Sequence, residues 1–277
     1  MHMSEMYKAM VDAISANVQK PASEYMGADG FLHCSVCKAQ TQTRVVVEAL
    51  GINKVVRCVC DCVVKQQAEE EMRRRQEEFD RKRRICFAET NMAGWTFEND
   101  DRKNEKLSDA MQKYADNFGK YRKEGKGLLL HGTVGTGKTY FAACIANRLI
   151  DNGYDVLMTN FARLSNQIQG SYEKQKVIDD LNEYHLVVID DLGAERTSEY
   201  MQEMVFNIID SRYRSGLPFI ITTNLPMEEI KKPQDRSSAR IYDRILQRCF
   251  PVEVSGSSRR RQEVKDTYLD MKNELGL

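Results

Sequence analysis

Apolar positions fall into two regimes along this chain, divided near residue 95. Beyond that point, short unbroken apolar runs alternate with stretches of helical spacing. Residues 127–131 (GLLLH), 155–160 (DVLMTN), 186–191 (LVVIDD), 218–224 (PFIITTN) and 251–255 (PVEVS) read as five strands. Runs this short and this apolar suit strands buried on both faces. Residues 140–150 (YFAACIANRLI) and the mostly polar 161–181 read as helices, with a turn at Asn152-Gly153. A polar helix over 106–123 precedes the first of these strands. Strand and helix in alternation predict a parallel sheet covered by helices on both faces.

The N-terminal regime is different. Met3, Met6, Met10, Ile14 and Val18 recur at helical spacing, and Pro21 and Gly27 close that segment. A methionine-rich face adapts to a partner's surface, or it packs on the module that follows; both fit. Residues 43–50 (TRVVVEAL) and 54–62 (KVVRCVCDC) read as arms of a hairpin that turns at Gly51-Ile-Asn53. Residues 63–90 form a charged helix with sparse apolar positions at Met72, Phe79, Ile85 and Phe87. Its cationic block 81–84 reads as a solvated face with i,i+4 ion pairs, or as a contact for nucleic acid. Gly94 breaks this helix in a stretch, NMAGWTF, that holds the sole tryptophan. The expected divisions are an N-terminal module over 1–64, a helical linker over 65–94 and a main domain over 95–277.

Cysteine placement adds chemistry to the N-terminal module. Of eight cysteines, five lie between Cys34 and Cys62. Glu5, Lys8 and Asp12 interrupt the N-terminal stretch, so no signal peptide is expected there. Without a secretion signal, a metal site is expected before disulfides. Zn²⁺ takes four thiolate or imidazole ligands in a tetrahedron. Cys34 and Cys37 supply one pair, and two of Cys58, Cys60 and Cys62 the other, with His33 adjacent. Residues two apart on a strand share a face, so the last three cysteines all point one way if the strand continues. A structural zinc contributes about 10–16 kcal/mol to such a small module.

Whole-chain numbers bound the rest. The 277 residues are 42% hydrophobic and 30% charged, with formal net charge +0. This fits a globular protein with a real core, and any nucleic-acid surface must be a local patch. No apolar run approaches the roughly 20 residues of a membrane span. The expectation is a cytoplasmic protein with no membrane partner.

The strongest motif lies between the first strand and the next helix. Gly132-Thr133-Val134-Gly135-Thr136-Gly137-Lys138-Thr139 fits the G-x-x-x-x-G-K-[ST] loop that cradles nucleotide phosphates. Its glycines allow conformations closed to other residues, so that backbone N–H groups converge on an anion beside a helix N-terminus. Lys138 adds charge, Thr139 offers a hydroxyl to Mg²⁺, and Tyr140 follows directly. In LVVIDD, Asp190 reaches the carboxyl edge of the sheet, where it can hold Mg²⁺ opposite Thr139. Asp191 can orient or activate water, and Asn224 ends the fourth strand at the same edge. Arg236, Arg240, Arg244 and Arg248 fall on one helical face, either solvated or reaching into a neighbouring subunit's nucleotide site. Arg259, Arg260 and Arg261 follow the last strand, where one can reach the γ-phosphate.

GTVGTGKT, LVVIDDLGAE, PFIITTN and RIYDRILQRCFPVEVSGSSRRR, in this order, resemble the AAA+ ATPases. More narrowly they resemble the DnaC/DnaI-type helicase loaders and their IstB-type relatives, from about Trp95 to the C-terminus. The resemblance implies an α/β AAA+ P-loop core, a five-stranded parallel sheet between helices, with a short C-terminal lid. It implies Mg²⁺-dependent ATP hydrolysis, with Lys138 and Thr139 as Walker A, Asp190 and Asp191 as Walker B and Asn224 as sensor 1. Asp191 stands where the general family has glutamate. Arg244 best matches the arginine finger, with Arg248 and Arg240 as alternatives; Arg260 best matches sensor 2, with Arg259 beside it. The cysteine module resembles the zinc-bearing adaptor of Gram-positive loaders, which grips the hexameric replicative helicase. The family also implies ATP-dependent self-association and single-stranded DNA binding, with Tyr172, Lys174 and Lys176 as candidate contacts. The alternatives are an IstB-type helper of a DNA transposase, or an adaptor that binds ATP as a switch without hydrolysing it.

Overall fold

The computed structural model describes residues 3–88, 91–193, 199–259, 264, 268, 271–272 and 274–275. The chain divides into two compact units, Met1–Glu78 and Phe79–Leu277.

In the first unit, helix α1 (Met3–Ala16) lies against a hairpin through its polar side. Asp12 accepts from Lys54 Nζ at 2.7 Å, and Ser15 Oγ accepts the Arg57 N–H at 2.9 Å. Met6, Met10 and Ile14 are therefore exposed, each more than half so. Strands β1 (Glu24–Met26) and β2 (Leu32–Cys34) pair antiparallel. So do β3 (Gln42–Val47) and β4 (Ile52–Arg57), which are joined by a turn that closes at Gly51 with φ 61°. Glu24 ties the two hairpins together, accepting the Thr41 hydroxyl at 2.6 Å and Arg57 Nη1 at 2.9 Å. The Thr41 bond and the Arg57 guanidinium hold its carboxyl below the usual range.

The expected strand through Cys58, Cys60 and Cys62 is not formed. β4 stops at Arg57, and helix α2 (Asp61–Phe87) takes over. The Cys60 carbonyl accepts the N–H groups of Val63 and Val64 at 3.0 and 3.2 Å, so the chain is already turning there. Residues 64–78 of α2 are exposed, the solvated helix that their charge predicts. From Phe79 onward α2 belongs to the second unit, where Phe79, Cys86 and Phe87 join its core.

The second unit continues with α3 (Glu105–Asp116), α4 (Phe118–Glu124), β5 (Gly127–His131), α5 (Lys138–Asp151) and β6 (Val156–Asn160). Then come α6 (Phe161–Gly170), α7 (Lys174–Asp180), β7 (Leu186–Leu192), α8 (Glu199–Ser215) and β8 (Phe219–Thr223). Helices α9 (Met227–Lys231) and α10 (Arg236–Arg248) and strand β9 (Cys249–Glu253) complete the described elements. The five strands form one parallel sheet in the order β6-β7-β8-β5-β9. Alternation decides which core each residue enters. Leu128 and Leu130 pack with α3 and α5 on one face; Leu129 packs with α6, α8 and α10 on the other.

Two expected helices are each split. The first breaks at Asn117, whose amide donates to the Lys113 carbonyl at 2.8 Å. The second breaks after Gly170, where Ser171 Oγ accepts the Glu173 N–H at 3.1 Å in place of a helical partner. β9 starts two residues before its predicted start and contains Pro251, which an edge strand tolerates.

One buried cation ties elements together under the sheet. Arg212 is 2% exposed, and its guanidinium donates to the carbonyls of Leu181, Tyr184 and Pro218 at 2.9 Å each. Burial lowers its pKa to about 9, which still leaves it charged at neutral pH. Arg212→Met strands those carbonyls and is expected to cost about 3–5 kcal/mol of stability. Urea denaturation checks this, and a loss under about 1 kcal/mol would rule out the bracing role.

Candidate functional site

β5 is buried, so the chain leaving it must turn sharply to reach α5. Gly132, Gly135 and Gly137 take φ values of 146°, 85° and 102°. Two of them are also closely packed. A Cβ on Gly132 would lie 2.4 Å from the Val254 carbonyl oxygen, and one on Gly135 would lie 2.2 Å from Ser258 Oγ. Thr136 Oγ1 donates to the Thr133 carbonyl at 3.0 Å inside the loop. Lys138, the first residue of α5, is largely buried and folds back on the loop. Its Nζ donates to the carbonyls of Gly132 at 3.0 Å and Thr133 at 2.7 Å. The loop's backbone therefore surrounds a cradle at the start of a fourteen-residue helix, which is where an anion is favoured.

The two aspartates of β7 diverge. Asp190 Oδ1 accepts the hydroxyls of Thr139 at 2.9 Å and Thr222 at 2.6 Å. The pairing of β7 with β8 then shifts between Ile189 and Leu192, and Asp191 adopts φ 63°. Such a bulge re-aims a side chain, and aspartate tolerates the left-handed region better than most residues. The Asp191 N–H is held by Thr222 Oγ1 at 2.9 Å, and its Oδ1 accepts from Asn224 Nδ2 at 2.7 Å. One hydroxyl, that of Thr222, thus sets both acids. Its role is not legible in the sequence, where the available signal is the pair of buried threonines, Thr222 and Thr223, that ends an apolar strand.

These groups line a cleft of about 690 Å³. Lys138, Thr139, Tyr140, Asp190, Asp191 and Asn224 are brought together there, with Val134, Gly135 and Gly137. Trp95, Asn99, Asp101 and Lys103, from the segment ahead of α3, form a further wall that the sequence did not signal. Tyr140 anchors that segment through its hydroxyl, 2.9 Å from the Thr96 carbonyl, with its ring 5.8 Å from that of Trp95. Arg259 also lines the cleft, and its N–H donates to the Gly135 carbonyl at 2.9 Å. Arg260 lies outside the described residues, as do Ala194 and Glu195 of LVVIDDLGAE.

The arginines of α10 lie against α8. Arg244 binds Asp210 through Nε and stacks 4.7 Å from the Phe206 ring. Arg240 is exposed, 4.2 Å from the same ring, and Arg248 donates to the Tyr213 carbonyl at 3.2 Å.

The sulfurs of Cys34, Cys37, Cys60 and Cys62 all lie within 4.8 Å of one another. Tetrahedral zinc thiolates put sulfurs about 3.8 Å apart, given Zn–S near 2.3 Å. The observed Cys34–Cys62 and Cys60–Cys62 separations of 3.4 and 3.2 Å are a few tenths of an ångström shorter, so the thiols need only a small outward shift to enclose one ion. Backbone N–H groups of Cys37 and Val36 draw the Cys34 thiol pKa down, while hydrogen bonds with Cys60 and Cys34 push that of Cys62 up, so the crowded thiols do not all ionise without a cation among them. Cys58 stands apart, its Sγ donating to the Gln40 carbonyl at 3.4 Å.

A family model described as IstB-like ATP binding protein matches residues 55–267. The replicative helicase loader DnaI of Bacillus subtilis (strain 168) is 27% identical over 150 residues, which is 50% of this chain and 48% of that protein. The replicative helicase loader DnaC of Escherichia coli (strain K12) is 30% identical over 123 residues, 43% of this chain and 49% of that protein. The chain thus spans about half the length of the curated relatives it matches. A crystal structure of DnaI aligns with TM-score 0.51 at 27% identity, covering 61% of this chain and 92% of that one.

Thr222→Val removes the acceptor of the Asp191 N–H. Exchange of that amide with deuterium, read by NMR, is expected to quicken about five- to tenfold, the equivalent of one hydrogen bond of about 1 kcal/mol. Equal protection in the variant would mean that the bulge holds Asp191 without the hydroxyl.

Proposed function

Because the chain belongs to the IstB-like ATP-binding protein family, we propose that it is an ATP-hydrolysing loader of a hexameric replicative helicase. The observation that carries the ATP-hydrolysing part of this reading is the convergence of Thr139, Asp190, Asp191 and Asn224 at the mouth of a glycine-built phosphate cradle, and the similarity to loaders DnaI and DnaC supports the rest. The loop from Gly132 to Thr139, with Tyr140 behind it, binds the triphosphate. Lys138 exchanges its two loop carbonyls for phosphate oxygens. Thr139 and Asp190, 2.9 Å apart, would hold Mg²⁺, which would supply neutralisation of phosphate charge. Asp191, fixed by Asn224, orients water for attack on the γ-phosphorus; the bond to the bridging oxygen breaks, and the water's proton leaves through Asp191 or a phosphate oxygen to solvent, giving ADP and phosphate.

Arg244 acts in trans on a neighbouring subunit's nucleotide, with Arg240 and Arg248 as alternatives, and ATP promotes that self-association. Asp210 keeps a second partner, Arg214 at 2.8 Å, once Arg244 leaves it. Arg259, whose side chain lines the cleft, supports an arginine in cis at the position next to Arg260. The ATPase domain of 95–277 also takes in residues 79–94, whose Phe79, Cys86 and Phe87 lie in its core, which shortens the linker of 65–94 to 65–78 and leaves 1–64 as the helicase-gripping module. Cys34, Cys37, Cys60 and Cys62 hold a structural zinc in that module. Exposed Tyr172, Lys174 and Lys176 contact single-stranded DNA by stacking and charge. Among the described residues, no helix is long and apolar enough to cross a membrane.

Metal analysis of purified protein checks the module: one zinc per chain is expected for the wild type and for Cys58→Ser, and loss of zinc for Cys60→Ser. Equal zinc in both variants would move the fourth ligand away from Cys60.

The test of function mixes full-length protein with the host's replicative helicase, with and without ATP, and measures complex mass by size exclusion with light scattering. A stoichiometric complex is expected, together with about 10- to 100-fold weaker ATP binding in Lys138→Ala, the scale of a lost charged hydrogen bond. No complex under any nucleotide condition would overturn the loader reading and make a transposase the next bait.

A further inference from the structure

Arg259 reaches the cleft already engaged. Its Nη2 donates to Asp101 Oδ1 at 2.7 Å, and its Nη1 lies 3.5 Å from Asp100 Oδ1. Its guanidinium lies 5.7 and 5.9 Å from the rings of Tyr140 and Phe141, the third and fourth residues of α5. Its Nε is 3.9 Å from where a Cβ on Gly137 would sit. The cation therefore hangs over the last glycine of the phosphate cradle, with its backbone pinned to Gly135 and its counter-ions drawn from the segment ahead of α3.

The two carboxylates differ. The Asp100 side chain is 1% exposed; Ser108 donates to its Oδ2, while its Oδ1 has no hydrogen bond and faces the Arg259 guanidinium. A buried bare oxygen of this kind is costly, and it gives the guanidinium a second place to settle. Asp101 is 38% exposed and lines the cleft itself. It also takes the Lys103 ammonium at 3.2 Å and the Lys103 N–H at 3.2 Å. Burial pushes its pKa up, but the Lys103 bonds and the Arg259 charge outweigh this and leave it below the usual range, so it is an anion at neutral pH.

A carboxylate inside a phosphate cleft repels the ligand and occupies the donors that the ligand needs. We propose that Asp101 is a displaceable counter-ion of Arg259, surrendered to the phosphates when nucleotide binds. The proposal rests on the nucleotide reading of the cleft and adds a regulation to it. Bound phosphate takes the outer face of Arg259, Asp100 retains the inner face, and residues 97–104 lose their hold on the cleft wall. Phosphate occupancy is thereby transmitted to the segment that follows Trp95.

The sole tryptophan, Trp95, lines the cleft in the fixed part of the wall, and Asn99 of the moving part donates to the adjacent Gly94 carbonyl at 3.0 Å, so its emission reads the change in its surroundings when that part shifts. The experiment titrates full-length wild type, Asp101→Asn, Arg259→Met and the double variant with Mg²⁺ and ATP. It reads affinity by displacement of a fluorescent ATP analogue and wall movement by Trp95 emission. Asp101→Asn is expected to bind ATP about 3- to 10-fold more tightly, the scale of one partly exposed ion pair. Its nucleotide-free emission is expected to lie toward the ATP-bound wild-type value. In the Arg259→Met background the same change is expected to give a clearly smaller gain, only the relief of charge repulsion, because the guanidinium it would free is gone. Unchanged or weaker affinity in Asp101→Asn, or an equal gain without Arg259, overturns the proposal while leaving the nucleotide site standing. Wild-type protein that binds no ATP overturns both.

Discussion

The register of β5, β7 and β8 fixes where chemistry can occur in this unit. His131 pairs with Thr223 on one side and Glu253 on the other, while Leu192 also meets Thr223. The strands therefore end together, and their next residues emerge at one edge: Gly132 after β5, Gly193 after β7, Asn224 after β8 and Val254 after β9. That register is held by two cores that each take alternate residues of the same strand. A slip by one residue would send Leu129 into the α3–α5 core and Leu128 into the other, and would also separate Thr222 from Asp190. The dry packing and the polar cleft are consequences of one alignment.

At that edge, close approach replaces flexibility. Gly132 and Gly135 let the chain after β9 pack directly on the phosphate loop, with Val254 and Ser258 filling the space their side chains would need. The same contact sets the position of Arg259. Across the cleft, the bulge at Asp191 spends one residue of strand pairing to separate two adjacent carboxylates. Asp190 faces Thr139, and Asp191 faces Asn224. Without the bulge, successive residues of a strand would point to opposite faces of the sheet, and only one acid could serve the cleft.

Local chemistry was the legible part of the sequence. The glycine spacing of 132–137, the apolar runs of the strands and the acids ending 186–191 each depend on near neighbours, and the parallel five-stranded sheet between helices followed from them. What was not legible depends on where an element starts or on distant partners. Cys58, Cys60 and Cys62 read as one strand face because nothing in their spacing announces that α2 begins at Asp61. Thr222 reads as a strand residue because its roles come from β7, more than thirty residues earlier. The Met face of α1 reads as buried or docked with equal ease, and polar pairing of Asp12 and Ser15 with β4 turns it outward.

The wall formed by residues 95–103 owes its position to side chains that sequence patterns do not couple to it. Asn147, 1% exposed in the middle of α5, donates to the carbonyls of Met92 and Trp95 at 2.9 Å each and accepts from Arg83 Nε at 3.2 Å. Arg83 also pairs with Asp151 one turn further along α5. The end of α2 and the start of the wall are thus pinned to the helix whose N-terminus makes the phosphate cradle. Tyr140 fixes the next residue, Thr96, from that helix's first turn. Beyond Thr96 the hold on the cleft passes to Phe97 in the core and to the carboxylates that meet Arg259. An anchor of buried amides on one side and an exchangeable ion pair on the other divide the wall into a fixed half and a responsive half. The responsive half is the one that faces the phosphates.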